Sequence, residues 1–197
     1  MISIDGIYED LLVINKSKFY SFVYPITTEE QAKEYINKLE EKFADATHVC
    51  TAYLLSSPKV EKANDDGEPS GTAGKPMLEL LKKKGLDNVL LAVVRYFGGI
   101  KLGAGGLVRA YTNAGNLVLD KANVVEIISV DEYQATIGIA SGNKVMESIR
   151  QGGGEILTCK YTDKVQLQFI NYDVDKLKSI YPDIEISKVG SRVVCQK

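Results

Sequence analysis

The stretch Asn88–Leu119 constrains the fold more than any other part of this chain. It opens with Val89-Leu90-Leu91-Ala92-Val93-Val94, an unbroken apolar run. Such a run predicts a strand buried on both faces, inside its domain rather than at the surface. Leu107, Val108, Ala110, Tyr111, Ala114, Leu117 and Val118 then recur at helical spacing. Between strand and helix, five glycines fall within positions 98–106: Gly98, Gly99, Gly103, Gly105 and Gly106. No Asp or Glu occurs from Asn88 to Leu119, so Arg95, Lys101 and Arg109 are unopposed locally.

A strand that passes through glycines into a helix exposes backbone N–H groups at the positive end of the helix dipole. Glycine also lets the backbone approach a phosphate closely. The stretch therefore predicts an anion site, with Arg95, Lys101 and Arg109 supplying charge. Tyr96 and Phe97 offer faces on which a base could stack. The competing explanation is structural: Gly98-Gly99 makes a turn, and Gly103, Gly105 and Gly106 permit tight helix packing. The stretch is neither a Walker loop nor a G-x-G-x-x-G dinucleotide fingerprint.

Global properties narrow the function. A formal net charge of -2 excludes nucleic-acid binding by bulk charge, so any such binding must use a local patch. Apolar runs fall far short of the roughly 18 residues of a membrane helix. The start Met1-Ile2-Ser3-Ile4-Asp5-Gly6 has no basic segment or long apolar core, which gives the expectation of a cytoplasmic protein with no membrane partner. Cys50, Cys159 and Cys195 are scattered and odd in number, as for reduced thiols. One histidine and three separated cysteines are a poor zinc set, and neither a metal nor a cofactor is expected.

In chain order, Leu11–Ile14 and Phe19–Tyr24 read as strands around a turn at Asn15-Lys16-Ser17-Lys18. Thr27-Thr28-Glu29-Glu30 reads as a capped helix start. His48–Leu55 reads as a strand with His48, Cys50, Ala52 and Leu54 on one face. Residues 56–71 read as one long loop centred on Asn64-Asp65-Asp66-Gly67-Glu68-Pro69-Ser70-Gly71, and a short helix capped by Thr72 follows. Its acids could form a solvated turn, hold a hard cation, or pair with Arg95 or Lys101 across the two loops. His48 with Asp65, Ser70 or Cys50 is a candidate catalytic set, against which stands a structural or surface histidine. From Val124 the order becomes β-α-β-β-α-β, with the first β-type run broken near Val130-Asp131-Glu132. The expectation is an α+β protein of two domains, 1–125 and 126–197.

Two segments carry a family resemblance. Asp65-Asp66-Gly67-Glu68-Pro69-Ser70-Gly71-Thr72-Ala73-Gly74-Lys75-Pro76 resembles one signature of the IMPACT/YigZ family, and Arg95 through Tyr111 resembles the other. The resemblance covers residues 1 to about 125; the remainder is similar to the small C-terminal domain of bacterial members. It implies a first domain of the ribosomal-protein S5 domain 2-like fold. It implies a second, ferredoxin-like domain similar to the last domain of elongation factor G. Eukaryotic relatives regulate translation through a protein partner, so the resemblance also implies a partner of that kind.

The function expected is therefore a non-catalytic, translation-associated protein that binds RNA or the ribosome. Its site would comprise Lys75, Arg95, Tyr96, Gly98, Gly99, Lys101, Gly103, Gly105, Gly106 and Arg109. The alternative is a hydrolase or phosphate-handling enzyme that uses His48, Asp65 and Asp66 beside the glycine loop.

Overall fold

A computed structural model describes the backbone of residues 1–195 and the side chains of residues 1–194. The thiol of Cys195 and residues 196–197 of the expected second domain lie outside the described residues. The chain divides into two compact units, Met1–Ile127 and Ile128–Val194.

The first unit contains β1 (Ile2–Ile4), β2 (Tyr8–Ile14), β3 (Ser17–Pro25), α1 (Glu29–Lys42), β4 (His48–Ser56), β5 (Lys59–Asn64), α2 (Gly74–Lys83), β6 (Val89–Tyr96) and α3 (Gly103–Lys121). Five of these strands form an antiparallel sheet in the order β2-β3-β6-β4-β5. β6, the apolar run, takes the central position. Its alternate residues serve two cores: Val89, Leu91 and Val93 pack with α2 and α3, whereas Leu90, Ala92 and Val94 pack with α1. Helices on both sides, rather than parallel pairing, make this strand apolar throughout. Each buried valine or leucine among them contributes roughly 1.5–3 kcal/mol.

Local chemistry fixes the connections. Asn15 and Lys16 have φ of 47° and 64°, the two positive values of a type I′ hairpin turn. Ser17 and Lys18, expected within the turn, already pair in β3. Thr28 caps α1, its Oγ1 accepting from the Gln31 N–H at 3.2 Å. The expected long loop at 56–71 is shorter, because β5 forms a hairpin with β4. The sequence hides this strand because it is an edge strand with mostly exposed side chains, and only Val60 packs inward. Edge strands of this kind carry charge instead of apolar alternation.

β7 (Val124–Gly138) begins in the first unit and continues into the second, which goes on with α4 (Ile139–Gln151), β8 (Glu155–Tyr161), β9 (Lys164–Ile170), α5 (Val174–Ile180) and β10 (Glu185–Cys195). The first residues of β7 pair with β1 and its last with β9. β9 pairs in turn with β8, and β10 pairs with β7. Val145, Met146 and Ile149 of α4 and Leu177 of α5 pack on Ala135, Ile137, Val165, Leu167 and Phe169 of the sheet. The expected break near Val130-Asp131-Glu132 does not occur. Asp131 accepts from Lys188 at 2.7 Å and Glu132 faces Arg192 at 3.5 Å, so the acids are neutralised within a continuous strand. Among the described residues no helix is long and apolar enough to cross a membrane.

Candidate functional site

The two signature segments meet in the first unit, where the loop before α2 lies against the end of β6 and the start of α3. The register explains the meeting. Arg95 of β6 pairs with Phe19 of β3 on one side and His48 of β4 on the other. By strand parity, Arg95 shares the face of Leu91 and Val93, the side that carries α2 and α3. Its guanidinium lies 5.3 Å from the Phe19 ring centre and 5.5 Å from that of Phe97.

The turn Asp65–Glu68 delivers a carboxylate to this arginine. Asp66 and Gly67 adopt φ of 44° and 82°, and the Glu68 N–H donates to the Asp65 carbonyl at 2.9 Å. This tight turn points Glu68 inward, where Arg95 Nη1 donates to Oε1. The Tyr111 hydroxyl of α3 donates to the same oxygen at 2.8 Å. Glu68 Oε2 faces His48 Nε2 at 3.8 Å. Only 3% of the Glu68 side chain and 6% of the Arg95 side chain are exposed, so the pair is buried. Cys50 Sγ sits 3.3 Å from the Tyr111 hydroxyl. Burial pushes its thiol up to about 12, which makes it inert as a nucleophile. Burial likewise raises the Tyr111 phenol far above its ordinary value.

Asp65 has a different task. Its Oδ2 accepts from the Gly71 N–H at 2.7 Å, and Oδ1 accepts from Ala73 and Gly74 at 3.0 and 2.8 Å. Asp65 thus satisfies the free donors at the start of α2, the role expected of Thr72, whose hydroxyl instead donates to the Pro69 carbonyl at 2.6 Å. Burial alone would raise the Asp65 carboxyl, but the three N–H groups outweigh it and hold the carboxyl below its ordinary value. Because the folded value is lowered, this contribution is present above the unfolded carboxylate range and is lost as pH falls through the folded value. Asp65→Asn is expected to cost about 2 kcal/mol at neutral pH. The difference between the two proteins should shrink below about pH 4 in urea unfolding.

His48, Asp65 and Asp66 come together, but not as a proton relay. His48 Nδ1 lies 2.6 Å from the Asp66 carbonyl, which can only accept, so the ring nitrogen there carries the proton. The Asp66 carboxylate accepts from the Val49 N–H at 2.6 Å. Both aspartates are therefore committed to backbone, and the carboxylate nearest the imidazole Nε2 is Glu68.

The remaining candidates cluster at the start of α3. Leu102 is its N-cap and offers no side-chain bond, and the first turn contains no acid. Lys101 precedes this turn and is exposed. A Cβ at Gly105 would stand 3.6 Å from Arg109 Nη1, so the exposed Arg109 guanidinium folds back over the first turn. Lys75 is exposed in the first turn of α2. Among the described residues, Lys75, Lys101 and Arg109 have no ion-pair partner. Tyr96 donates to Asp45 at 2.6 Å and packs edge-on against Tyr20, which makes it a brace, whereas Phe97 is 46% exposed. Gly98 packs on backbone, and Gly99 and Gly103 adopt φ of 85° and 70°. Gly106 lies against Leu102, where a Cβ would come within 3.0 Å of the leucine Cβ.

Between the two loops lies a cavity of about 340 Å³, lined by Glu68, Pro69, Arg95, Phe97, Lys101 and residues of the α3 start. Glu68 and Tyr111 hold this site together, yet neither stands among the site residues expected from sequence. The available signal was the acidic loop's capacity to pair with Arg95; of the pairings considered there, Glu68–Arg95 forms.

Residues 15–119, more than half of the chain, match the Impact N-terminal domain. The chain is 50% identical over 161 residues to the IMPACT family member YvyE of Bacillus subtilis, covering 81% of this chain and 74% of that protein. It is 34% identical over 158 residues to the IMPACT family member YigZ of Escherichia coli, covering 79% and 78%. A crystal structure of a hypothetical protein superposes with a TM-score of 0.74 at 27% identity, covering 95% of this chain and 96% of that one. The chain belongs to the IMPACT family.

Proposed function

We propose that this chain is a non-catalytic, translation-associated cytoplasmic protein that binds RNA or the ribosome through the surface at the start of α3. The observation that carries this reading is the pair of exposed cations, Lys101 and Arg109, flanking an uncapped, acid-free helix start. The N–H groups there favour phosphate, and the cations reinforce them. Lys75 extends the basic surface, and exposed Phe97 supplies a stacking face. Arg95, being buried against Glu68, organises this surface from beneath.

The fold reading goes with it. The first unit is read as S5 domain 2-like. The order β10-β7-β9-β8 with two helices supports a ferredoxin-like second unit similar to the last domain of elongation factor G. A protein partner in translation regulation belongs to the same reading. Fold likeness alone does not establish function, so the test falls on the site. Wild-type protein should bind single-stranded RNA with an affinity that falls steeply with salt. Lys75→Ala/Lys101→Ala/Arg109→Ala should fold normally, bind at least about tenfold more weakly and show a shallower salt slope. A folded triple variant that binds RNA unchanged refutes the reading.

The cavity between the loops favours one other reading, a phosphate-handling enzyme. In it, Glu68 would stand beside His48 in place of Asp65 and Asp66, because both aspartates are bound to backbone N–H groups.

A further inference from the structure

Helices α2 and α3 leave an open groove of about 750 Å³ between them. Its α3 wall is Val108, Thr112 and Asn116, which follow one another at four-residue spacing over about 12 Å. Its α2 wall repeats that spacing with Lys75, Glu79 and Lys83, and Pro76 and Leu80 supply an apolar floor. A Cβ at Gly115 of α3 would stand 2.8 Å from Leu80 Cδ2, so a glycine is what lets the two helices approach this closely. The groove is therefore preformed, and a ligand does not have to open it. Charge on the α2 wall is unbalanced. Lys82 pairs with Glu61 at 2.6 Å and reaches Glu79 at 3.6 Å, and Lys84 pairs with Asp120 at 2.7 Å. Lys75 and Lys83 are exposed at the two ends of the wall and have no ion-pair partner among the described residues. An apolar floor between two unopposed cations complements an apolar ridge flanked by two acids. The lysines stand about two helical turns apart, so one face of an α-helix can present both acids with apolar residues between them. RNA fits this groove less well: a glutamate stands between the lysines, and no aromatic side chain lines the groove for a base to stack on.

We propose that the α2–α3 groove binds an acidic amphipathic helix of a protein partner. Acids about seven or eight positions apart on that helix meet Lys75 and Lys83, and the apolar residues between them lie on Pro76, Leu80 and Val108. The inference rests on the protein-partner part of the reading above and gives that partner its chemistry. The RNA surface at the start of α3 shares only Lys75 with the groove.

The test selects binders of the full chain from a displayed library of random peptides of about 16 residues, long enough to form a helix once bound. An enriched peptide is then labelled and titrated by fluorescence anisotropy. Enriched sequences should carry paired acids around an apolar centre, and the peptide should gain helical circular dichroism on binding. Lys83→Glu, a change at an exposed position, should weaken binding at least about fivefold by turning an attraction into a repulsion. Thr112→Tyr obstructs the groove and should weaken binding at least about tenfold. It keeps Lys75, Lys101 and Arg109, so its RNA binding should stay within about twofold of wild type. Failure to enrich any peptide, enrichment without acidic bias, a bound peptide that stays extended, or wild-type peptide affinity in either variant overturns the inference. So does an RNA affinity that Thr112→Tyr lowers as much as peptide binding, which gives the groove to RNA, or a dimer of the chain that Thr112→Tyr dissociates, which gives it to a second copy. Unchanged RNA binding by the Lys75→Ala/Lys101→Ala/Arg109→Ala protein refutes the RNA reading and leaves peptide selection by the wild-type chain untouched, so the two fail separately.

Discussion

Replacing Glu68 by alanine should lower the unfolding free energy by about 3–5 kcal/mol. The size follows from what is left behind. Arg95 cannot shed its proton, and its side chain is only 6% exposed, so the substitution strands a positive charge away from water. The Tyr111 hydroxyl loses the Glu68 acceptor at the same time, in a core where Tyr111 itself is fully buried. Glu68→Gln should cost less, because an amide oxygen still accepts from Arg95 and Tyr111 while the charge attraction is lost. The double substitution Glu68→Leu/Arg95→Met should recover most of the loss, since removing both members of a buried pair removes both desolvation penalties. Urea unfolding followed by far-ultraviolet circular dichroism measures all three, and the single variants Glu68→Leu and Arg95→Met close the double-mutant cycle that gives the coupling. A Glu68→Ala protein within about 1 kcal/mol of wild type would show that Arg95 is satisfied by something other than Glu68.

The first unit's strands and helices were largely legible because their apolar periods are strong. The site was legible only in part, and Arg95 shows why. In sequence it is one of three unopposed cations in a glycine-rich stretch, and Lys101 and Arg109 are indeed exposed there. Yet strand parity sets Arg95 on the face of Leu91 and Val93, while Lys101 lies beyond the strand end. Parity was readable; the partner was not. Glu68 reaches Arg95 only because β4 and β6 pair with His48 opposite Arg95, and because the Asp65–Glu68 turn returns beside β4. Register of that kind is set by long-range packing that local spacing does not encode. The same limit applies to Asp65. A carboxylate that serves donors six to nine residues ahead of it looks, in the chain, like one more acid in a solvated loop.

Gly98→Ala should cost about 3 kcal/mol or more, although Gly98 has an ordinary φ. An added Cβ would stand 2.0 Å from the Lys16 carbonyl carbon and 2.3 Å from the Ser17 nitrogen. Both atoms are backbone, so no side chain can rotate away. The Gly98 N–H also donates to Ser17 Oγ at 3.0 Å, and Ser17 is completely buried. Relief therefore requires the β2–β3 turn and the loop after β6 to move apart, which breaks that bond and disturbs the Asn15–Lys16 turn. Gly99 is the control. It has φ of 85° and nothing within 4 Å of an added Cβ, so Gly99→Ala carries only the left-handed penalty, about 1–2 kcal/mol. The order of cost, Gly98 above Gly99, is opposite to what positive φ alone predicts, and urea unfolding of the two variants decides it. The displacement should also reach the site. Residues 98–101 carry Lys101 to the rim of the cavity, so Gly98→Ala should weaken RNA binding in the residual folded protein, whereas Gly99→Ala should change it less. A Gly98→Ala protein as stable as Gly99→Ala would mean that this backbone contact does not fix the loop that presents Lys101.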